Sequence, residues 1–352
     1  MIQEESSGAF LHGNRLGPIF KPKGPVRRVT WYEGVASARR GSPSGWLRSI
    51  VIEYDELGNR VLEEECFGDV VYERTRHVRD ERGALLESWR EEDGRLVWEH
   101  LYGYNERGLL ACETWGPSAS DLRGGRSCDY DEAGRRVEER TFDERGDLVH
   151  TFQLAYDEAG RLARVSLREG AGEGELQPVY ELRHDVVGRV VEQHGAGMAR
   201  GRRGKLRLVR RIRYGDEGQV AYRFFDEAGR PESTVIETHG PSGELLRSED
   251  FRVPEGAPPS PAPEADWLDP SALLAGGYRR TIEAYAGRDT PLRSLEIDET
   301  GRVVSEVGYD YEYDERGNWV YSREWTDEPE GELGAGQYGR TRLRREIEYY
   351  DQ

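Results

Sequence analysis

Thirteen times along this chain a short polar turn closes on a glycine, at positions 58, 83, 94, 108, 134, 146, 160, 188, 218, 229, 243, 301 and 317. The fullest copies read aromatic-Asp-Glu-x-Gly: Tyr54 to Gly58, Tyr130 to Gly134, Tyr156 to Gly160 and Tyr313 to Gly317. A repeat of this density constrains the fold more than any local propensity, because each copy marks one unit of the same supersecondary structure. An Asp at the first place of a four-residue turn accepts hydrogen bonds from backbone amides two residues on, and a Gly at the fourth supplies a positive φ that a Cβ resists. Asp55, Gly58, Asp131, Gly134, Asp157, Gly160, Asp314 and Gly317 are therefore read as structural turn residues.

The residues before the turns alternate. Ile52 and Tyr54, Tyr102 and Tyr104, Leu154 and Tyr156, Ile212 and Tyr214, and Tyr311 and Tyr313 each share a face, with polar residues such as Glu53, Arg213 and Glu312 between them. Period-two alternation rich in aromatic and β-branched residues means strands with one face covered. Gaps of 11 to 16 residues between turn glycines hold one strand, and gaps of 25 to 30 hold two strands joined by a turn without the signature. The expected fold is all-β: an antiparallel meander of hairpin repeats with about twenty strands of about eight residues each. Twist accumulates across so long a sheet, which must curl, split or close. Closed, about twenty strands enclose more space than side chains alone fill. The sequence thus predicts a curled or barrel-like sheet.

Residues 1 to 25 lack the repeat and read as an N-terminal arm or cap, and residues 26 to 252 form the main array. Residues 253 to 277 read as a linker loop, stiffened by five prolines between Pro254 and Pro263, with a short helical candidate around Ser271 to Ala275. Trp267, Leu268, Leu273 and Leu274 stand out in that polar stretch as anchors docking the linker on the sheet, or, for Trp267, as an anchor for a partner. Residues 278 to 352 resume the same grammar and are expected to continue the same sheet.

A formal net charge of −18 disfavours nucleic acid and anionic membranes as partners and suits a basic protein. Cys66, Cys112 and Cys128 are odd in number and lack a CxxC, which fits free thiols in a reducing compartment. The first ten residues hold no apolar run, and no 18-residue apolar stretch occurs, so a cytoplasmic location and no membrane contact are expected. One tract runs against the acidic whole: Arg200, Arg202, Arg203, Lys205, Arg207, Arg210, Arg211 and Arg213 form a candidate patch for an anion or an acidic partner. The same tract also reads as a strand neutralised by Glu173, Glu175 and Glu192. Trp31, Trp46, Trp89, Trp98, Trp115, Trp319 and Trp325 fall in or beside expected strands, either as packing residues or as anchors of a binding surface.

Seven histidines show no metal-ligand spacing, and HExxH, GxSxG and a P-loop lysine are missing. Each repeat Asp is accounted for by its turn. No catalytic residue, metal or cofactor is expected.

Tyr311-Glu312-Tyr313-Asp314-Glu315-Arg316-Gly317-Asn318-Trp319 resembles the Rhs/YD-repeat family, and related copies run over roughly residues 50 to 320. The resemblance implies a long β-sheet coiled into a shell, which in large members encloses a toxic C-terminal polypeptide and in others displays or binds partners. Asp269-Pro270-Ser271-Ala272 lacks the glycine of the boundary motif that precedes such a toxin domain. The function expected is therefore a non-enzymatic, protein-binding YD-repeat protein that holds or neutralises a basic partner such as a toxin. A scaffold subunit of a bacterial multiprotein assembly is the first alternative, and a carbohydrate-active or nucleic-acid-binding protein the second.

Overall fold

A computed structural model describes residues 23–34, 45–171, 174–199, 202–253, 273, 279–285, 290–298, 300–326 and 342–350, with the side chains of 197–205, 279, 325 and 326 outside that description. The described residues form twenty-two strands. These are β1 (Val26–Gly34), β2 (Trp46–Tyr54), β3 (Arg60–Phe67), β4 (Val70–Arg79), β5 (Leu85–Glu92), β6 (Arg95–Tyr104), β7 (Leu110–Gly116), β8 (Gly124–Tyr130), β9 (Arg136–Phe142), β10 (Leu148–Tyr156) and β11 (Leu162–Glu169). They continue as β12 (Gln177–His184), β13 (Val190–Ala199), β14 (Arg202–Tyr214), β15 (Gln219–Phe225), β16 (Pro231–His239), β17 (Leu245–Arg252), β18 (Arg279–Tyr285), β19 (Pro291–Ile297), β20 (Val303–Tyr313), β21 (Trp319–Thr326) and β22 (Arg342–Tyr349).

Each strand pairs antiparallel with the next, and β22 pairs antiparallel with β1, so the sheet closes into a barrel. The all-β, barrel-like expectation holds. At about 4.8 Å between strands and a tilt of about 40°, such a ring is roughly 44 Å across. β17 and β18 pair directly, Phe251 opposite Arg280, so the strands on either side of the Pro-rich stretch lie in one sheet.

The turn chemistry explains the meander. All thirteen signature glycines have positive φ, from +73° at Gly94 to +93° at Gly188. At the first full copy, Gly58 N–H donates to the Asp55 carbonyl and Asp55 N–H to the Asn59 carbonyl, while Asp55 Oδ1 accepts from the amides of Leu57 and Asn59. This is a type I turn followed by a left-handed glycine, a short connection that suits antiparallel strands. The ladder also shifts register at the residue before the Asp, as between Glu53 and Tyr54, Ala155 and Tyr156, and Glu312 and Tyr313. Three turns differ from the expected pattern. Between β14 and β15 the Asp position holds Gly215, Glu217 (φ 54°) shares the left-handed region with Gly218, and Gln219 N–H closes the turn on the Asp216 carbonyl. Asp93 (φ 49°) and Gly94 form a two-residue connection with two positive φ values, as a primed hairpin turn requires. At Gly240 no Asp is present, and Glu244 Oε2 accepts from Ser242 N–H instead.

Gly58 has φ +81°, and a Cβ added there would meet no neighbouring atom within 4 Å, so only its backbone conformation resists a side chain. Gly58→Ala is expected to cost roughly 1–2 kcal/mol, and Gly58→Asn less, because Asn tolerates this region. Urea unfolding of both variants checks this; equal costs would count against the conformational explanation.

Among the described residues, buried apolar side chains gather in two compact clusters. Val26, Val29, Ile52 and Tyr54 pack together where the barrel closes, with Trp31, Ile50, Ile347 and Tyr349 around them. Ala221, Ile236 and Phe251 pack on β15 to β17, and Leu273 is seated on them at 2% exposure. Leu273, which has helical backbone conformation, is thus a linker residue anchored on the sheet.

Candidate binding surfaces of the barrel wall

Turns after even-numbered strands define one rim of the barrel, and turns after odd-numbered strands the other. On the first rim the signature turns are linked to one another. Tyr104 OH donates to the Leu85 carbonyl, Tyr130 OH to Leu110, Tyr156 OH to Arg136 and Tyr214 OH to Val190, so the tyrosine that ends one strand is latched to the start of the strand before it. The Arg after the turn glycine folds back on the turn Asp, with Nε to Oδ2 distances of 2.8 Å for Arg135–Asp131 and 2.7 Å for Arg161–Asp157. Arg135 and Arg189 also lie over the rings of Tyr156 and Tyr214, at 4.7 and 4.2 Å. Asp131 and Asp157 are thereby committed to the rim.

The backbone amides of Arg135, Arg161 and Arg230, followed by the arginine side chains, hold Asp131, Asp157 and Asp226 below the ordinary value of 3.8. A carboxyl depressed on folding stabilises the fold above its unfolded value, and that stabilisation is lost as pH falls through the lower folded value. Urea midpoints are therefore expected to be flat from pH 7 to about 5 and to fall below about pH 4. A midpoint that rose on acidification would contradict this.

Where the barrel closes, the cluster is built across the two ends of the chain. Arg345 of β22, 4% exposed, lies over the Trp31 ring of β1 at 3.9 Å and also over Trp319 of β21, and the two indoles meet edge to face at 5.3 Å. Asn318, 2% exposed, donates from Nδ2 to the Lys23 carbonyl and to Tyr349 OH, and its Oδ1 accepts from Lys23 N–H. Tyr349 OH donates in turn to Asp314 Oδ2. Sequence patterning does not single out Arg345 or Asn318. The available signal is the Asn after Gly317, a place where six of the thirteen copies have Arg and one other, at Asn59, has Asn.

A second polar cluster spans β6 to β9. His100 Nδ1 lies 2.8 Å from Glu113 Oε1, Glu113 Oε2 accepts from Arg126 Nε at 2.6 Å, and Glu139 accepts from Arg136 at 2.6 Å. The Trp98 indole N–H donates to His100 Nε2. Indole nitrogen only donates, so His100 carries its proton on Nδ1 and gives it to Glu113. Burial raises the Glu113 carboxyl, but the bonds from His100 and Arg126 outweigh it and hold the group below its usual range. Burial, then the Glu113 charge, pushes the Tyr102 phenol up to about 12. Trp115 and Tyr102 flank the imidazole at 6.0 and 6.1 Å. Both ring nitrogens of His100 are thus engaged. The cluster therefore reads as a mutually satisfied knot that fixes the wall.

The described part of the basic tract lies on β14. Arg200 and Trp267 fall outside the described residues, and Arg202, Arg203 and Lys205 are described in backbone only. Consecutive residues of a strand point to opposite faces, so Arg210 and Arg211 do not share one. Arg210 lies over Tyr222, and Arg211 reaches Glu192 at 3.0 Å. Glu192 also meets Arg183 at 3.2 Å, and Arg207 lies 3.6 Å from Glu227. Arg213 stands on β14 opposite Ala221. The described basic residues are divided between faces, and several already face carboxylates.

Charge occupies the middle of strands on both faces of the wall. Along one row, Ile52, Glu63, Thr75, Arg90 and Trp98 lie side by side; along the adjacent row on the other face, Val51, Glu64, Arg74 and Glu91 do. Among the described residues no helix is long and apolar enough to cross a membrane, and no group of three or more His, Cys, Asp or Glu residues could hold a metal ion. Cys66, Cys112 and Cys128 are free, and burial pushes the Cys66 and Cys128 thiols up.

No protein-family model and no curated protein matches the chain. Among solved structures it is similar to the Tc holotoxin pore of Photorhabdus luminescens carrying a TccC3 mutation, with 12% identity, a TM-score of 0.30, and coverage of 84% of this chain and 18% of that one. TcdB2-TccC3 is similar at 12% identity and a TM-score of 0.29, with 84% and 19% covered. The chain thus spans less than a fifth of the length of these toxin chains. A porin-like protein from Bacteroides uniformis is similar at 12% identity and a TM-score of 0.30, with 93% of this chain and 99% of that chain covered.

Proposed function

We propose that this chain is a YD-repeat barrel that works without catalysis, in water on both sides of its wall, by holding a basic protein partner against its wall or rim. The observation that carries the reading is the closed ring of twenty-two strands with charged residues at mid-strand on both faces. A membrane barrel needs an apolar outward band, and each Arg or Lys on a lipid face costs about 2–4 kcal/mol at the bilayer midplane. Glu63, Arg90, Glu113 and Arg126 on one face, and Glu64, Arg74 and Glu91 on the other, leave no face suited to lipid. A ring this wide has more inner surface than its own side chains fill. A net charge of −18 favours encounter with a cationic protein, and three free thiols suit the cytoplasm.

Carbodiimide coupling tests the reading, because it joins this chain's many carboxylates directly to the lysines of a bound protein. The full chain, captured from its source cells at near-physiological salt and coupled, is expected to carry one basic protein in defined stoichiometry. Recovery of the chain joined only to itself would overturn the proposal.

A further inference from the structure

The second rim between β2 and β6 carries apolar side chains in water. Phe67 is 71% exposed and Val70 64%, flanking the tight Gly68-Asp69 connection, and Tyr72 continues the patch at 44%. Asp93 N–H donates to the Tyr72 carbonyl, which places the β5–β6 turn beside β4. Patches of this kind on a soluble protein mark contact surfaces.

Carboxylates border it in an arrangement that the isolated chain does not neutralise. Glu65 stands directly opposite Glu73, and Glu73 directly opposite Glu92, on three adjacent strands. Like charges placed opposite each other destabilise a sheet. Arg90 serves two of them, at 3.8 Å from Glu73 and 2.5 Å from Glu92, while Tyr72 OH donates to Glu65 at 2.7 Å. Asp69, Glu91 and Asp93 add three more carboxylates around the same turns, against Arg48, Arg74 and Arg95, of which Arg48 donates to the Gly68 and Asp69 carbonyls. Arg74 is already held by Glu64 and Glu91. Burial, and then the charges of Glu65, Glu92 and Glu63 working against Arg90, push the Glu73 carboxyl up.

We infer that this rim patch, Phe67, Val70 and Tyr72 bordered by Glu65, Glu73 and Glu92, is the docking surface for a cationic segment of a partner protein with alternating apolar and basic residues. The inference rests on the reading that the barrel holds a basic protein, and it specifies where that protein is gripped. Apolar side chains of the segment cover Phe67 and Val70, and its ammonium or guanidinium groups enter the carboxylate row.

The probe is a fluorescein-labelled peptide of alternating lysine and leucine, titrated into the full chain by anisotropy beside a glutamate–leucine peptide. The lysine peptide is expected to bind and the glutamate peptide not to. Phe67→Ser with Val70→Ser is expected to weaken binding about tenfold or more, since burying two such side chains contributes at least this much. Glu73→Gln with Glu92→Gln is expected to weaken it several-fold and to flatten its dependence on salt. Leu57→Ser with Val187→Ser, on exposed residues of the first rim, is expected to leave it unchanged. Circular dichroism of each variant confirms the fold. Equal binding by wild type and both patch variants overturns the inference, as does equal binding of the two peptides. If a carbodiimide-coupled partner is recovered in that case, the partner is held elsewhere on the barrel and the proposed function stands.

Discussion

Trp319→Ala is expected to lower the stability of the barrel by about 4 kcal/mol, within the range for removing a buried Trp side chain. Trp319 is 7% exposed and packs on Trp31 and Tyr311 with ring centroids at 5.3 and 5.8 Å. Its loss opens a cavity and also removes one of the two indoles between which the Arg345 guanidinium lies. A buried guanidinium that loses its aromatic neighbour keeps its desolvation cost and gives up an attraction worth about 2 kcal/mol when desolvated. Because β21, β22 and β1 join the two ends of the chain, the damage should be local before it is global. Amide hydrogen exchange is therefore expected to accelerate first in β21, β22 and β1, with β9 to β12 little changed. Trp319→Phe should retain most of the stability. A loss below about 1 kcal/mol, or faster exchange spread evenly around the ring, would falsify the view that this aromatic sandwich fastens the closure.

Phe251→Ala is expected to cost about 3–5 kcal/mol, read from the urea midpoint. Phe251 is fully buried, touches the cluster of Ala221, Ile236 and Leu273, and lies under the Arg280 guanidinium at 5.4 Å. Arg280 is held by Glu249, its diagonal neighbour on β17. This residue therefore joins three things: the β16–β17 sheet, the resumption of the sheet at β18, and the Leu273 anchor. A cycle with Leu273→Ala measures the last of these. A coupling energy of about 0.5 kcal/mol or more is expected for residues in contact, and strict additivity would show that Leu273 does not depend on Phe251.

Much of the wall is legible in the sequence. The alternation of Ile52 with Tyr54, or of Tyr311 with Tyr313, and the Asp–Gly spacing encode strands and turns within five residues of one another, and the hydrogen bonds of those turns are made inside the same five residues. The Asp93-Gly94 connection resembles the rest in sequence because its glycine looks alike, although two positive φ values make it a different turn. The basic tract reads as one patch, yet the side-chain period of a strand sends Arg210 and Arg211 to opposite faces. The rim patch at Phe67 and Val70 leaves no mark in the sequence, because an exposed aromatic and a buried one look the same there.

The sequence by itself determined that the chain is a meander of antiparallel hairpins, since each turn is a local arrangement of an Asp carboxylate, nearby amides and one left-handed glycine. Closure was decided only by the tertiary structure. Pairing of β1 with β22, and the bonds that tie Lys23 to Asn318 and Tyr350 to Tyr54, join residues about three hundred positions apart. No local pattern specifies such a contact, because it depends on the twist and curvature summed over every strand in between.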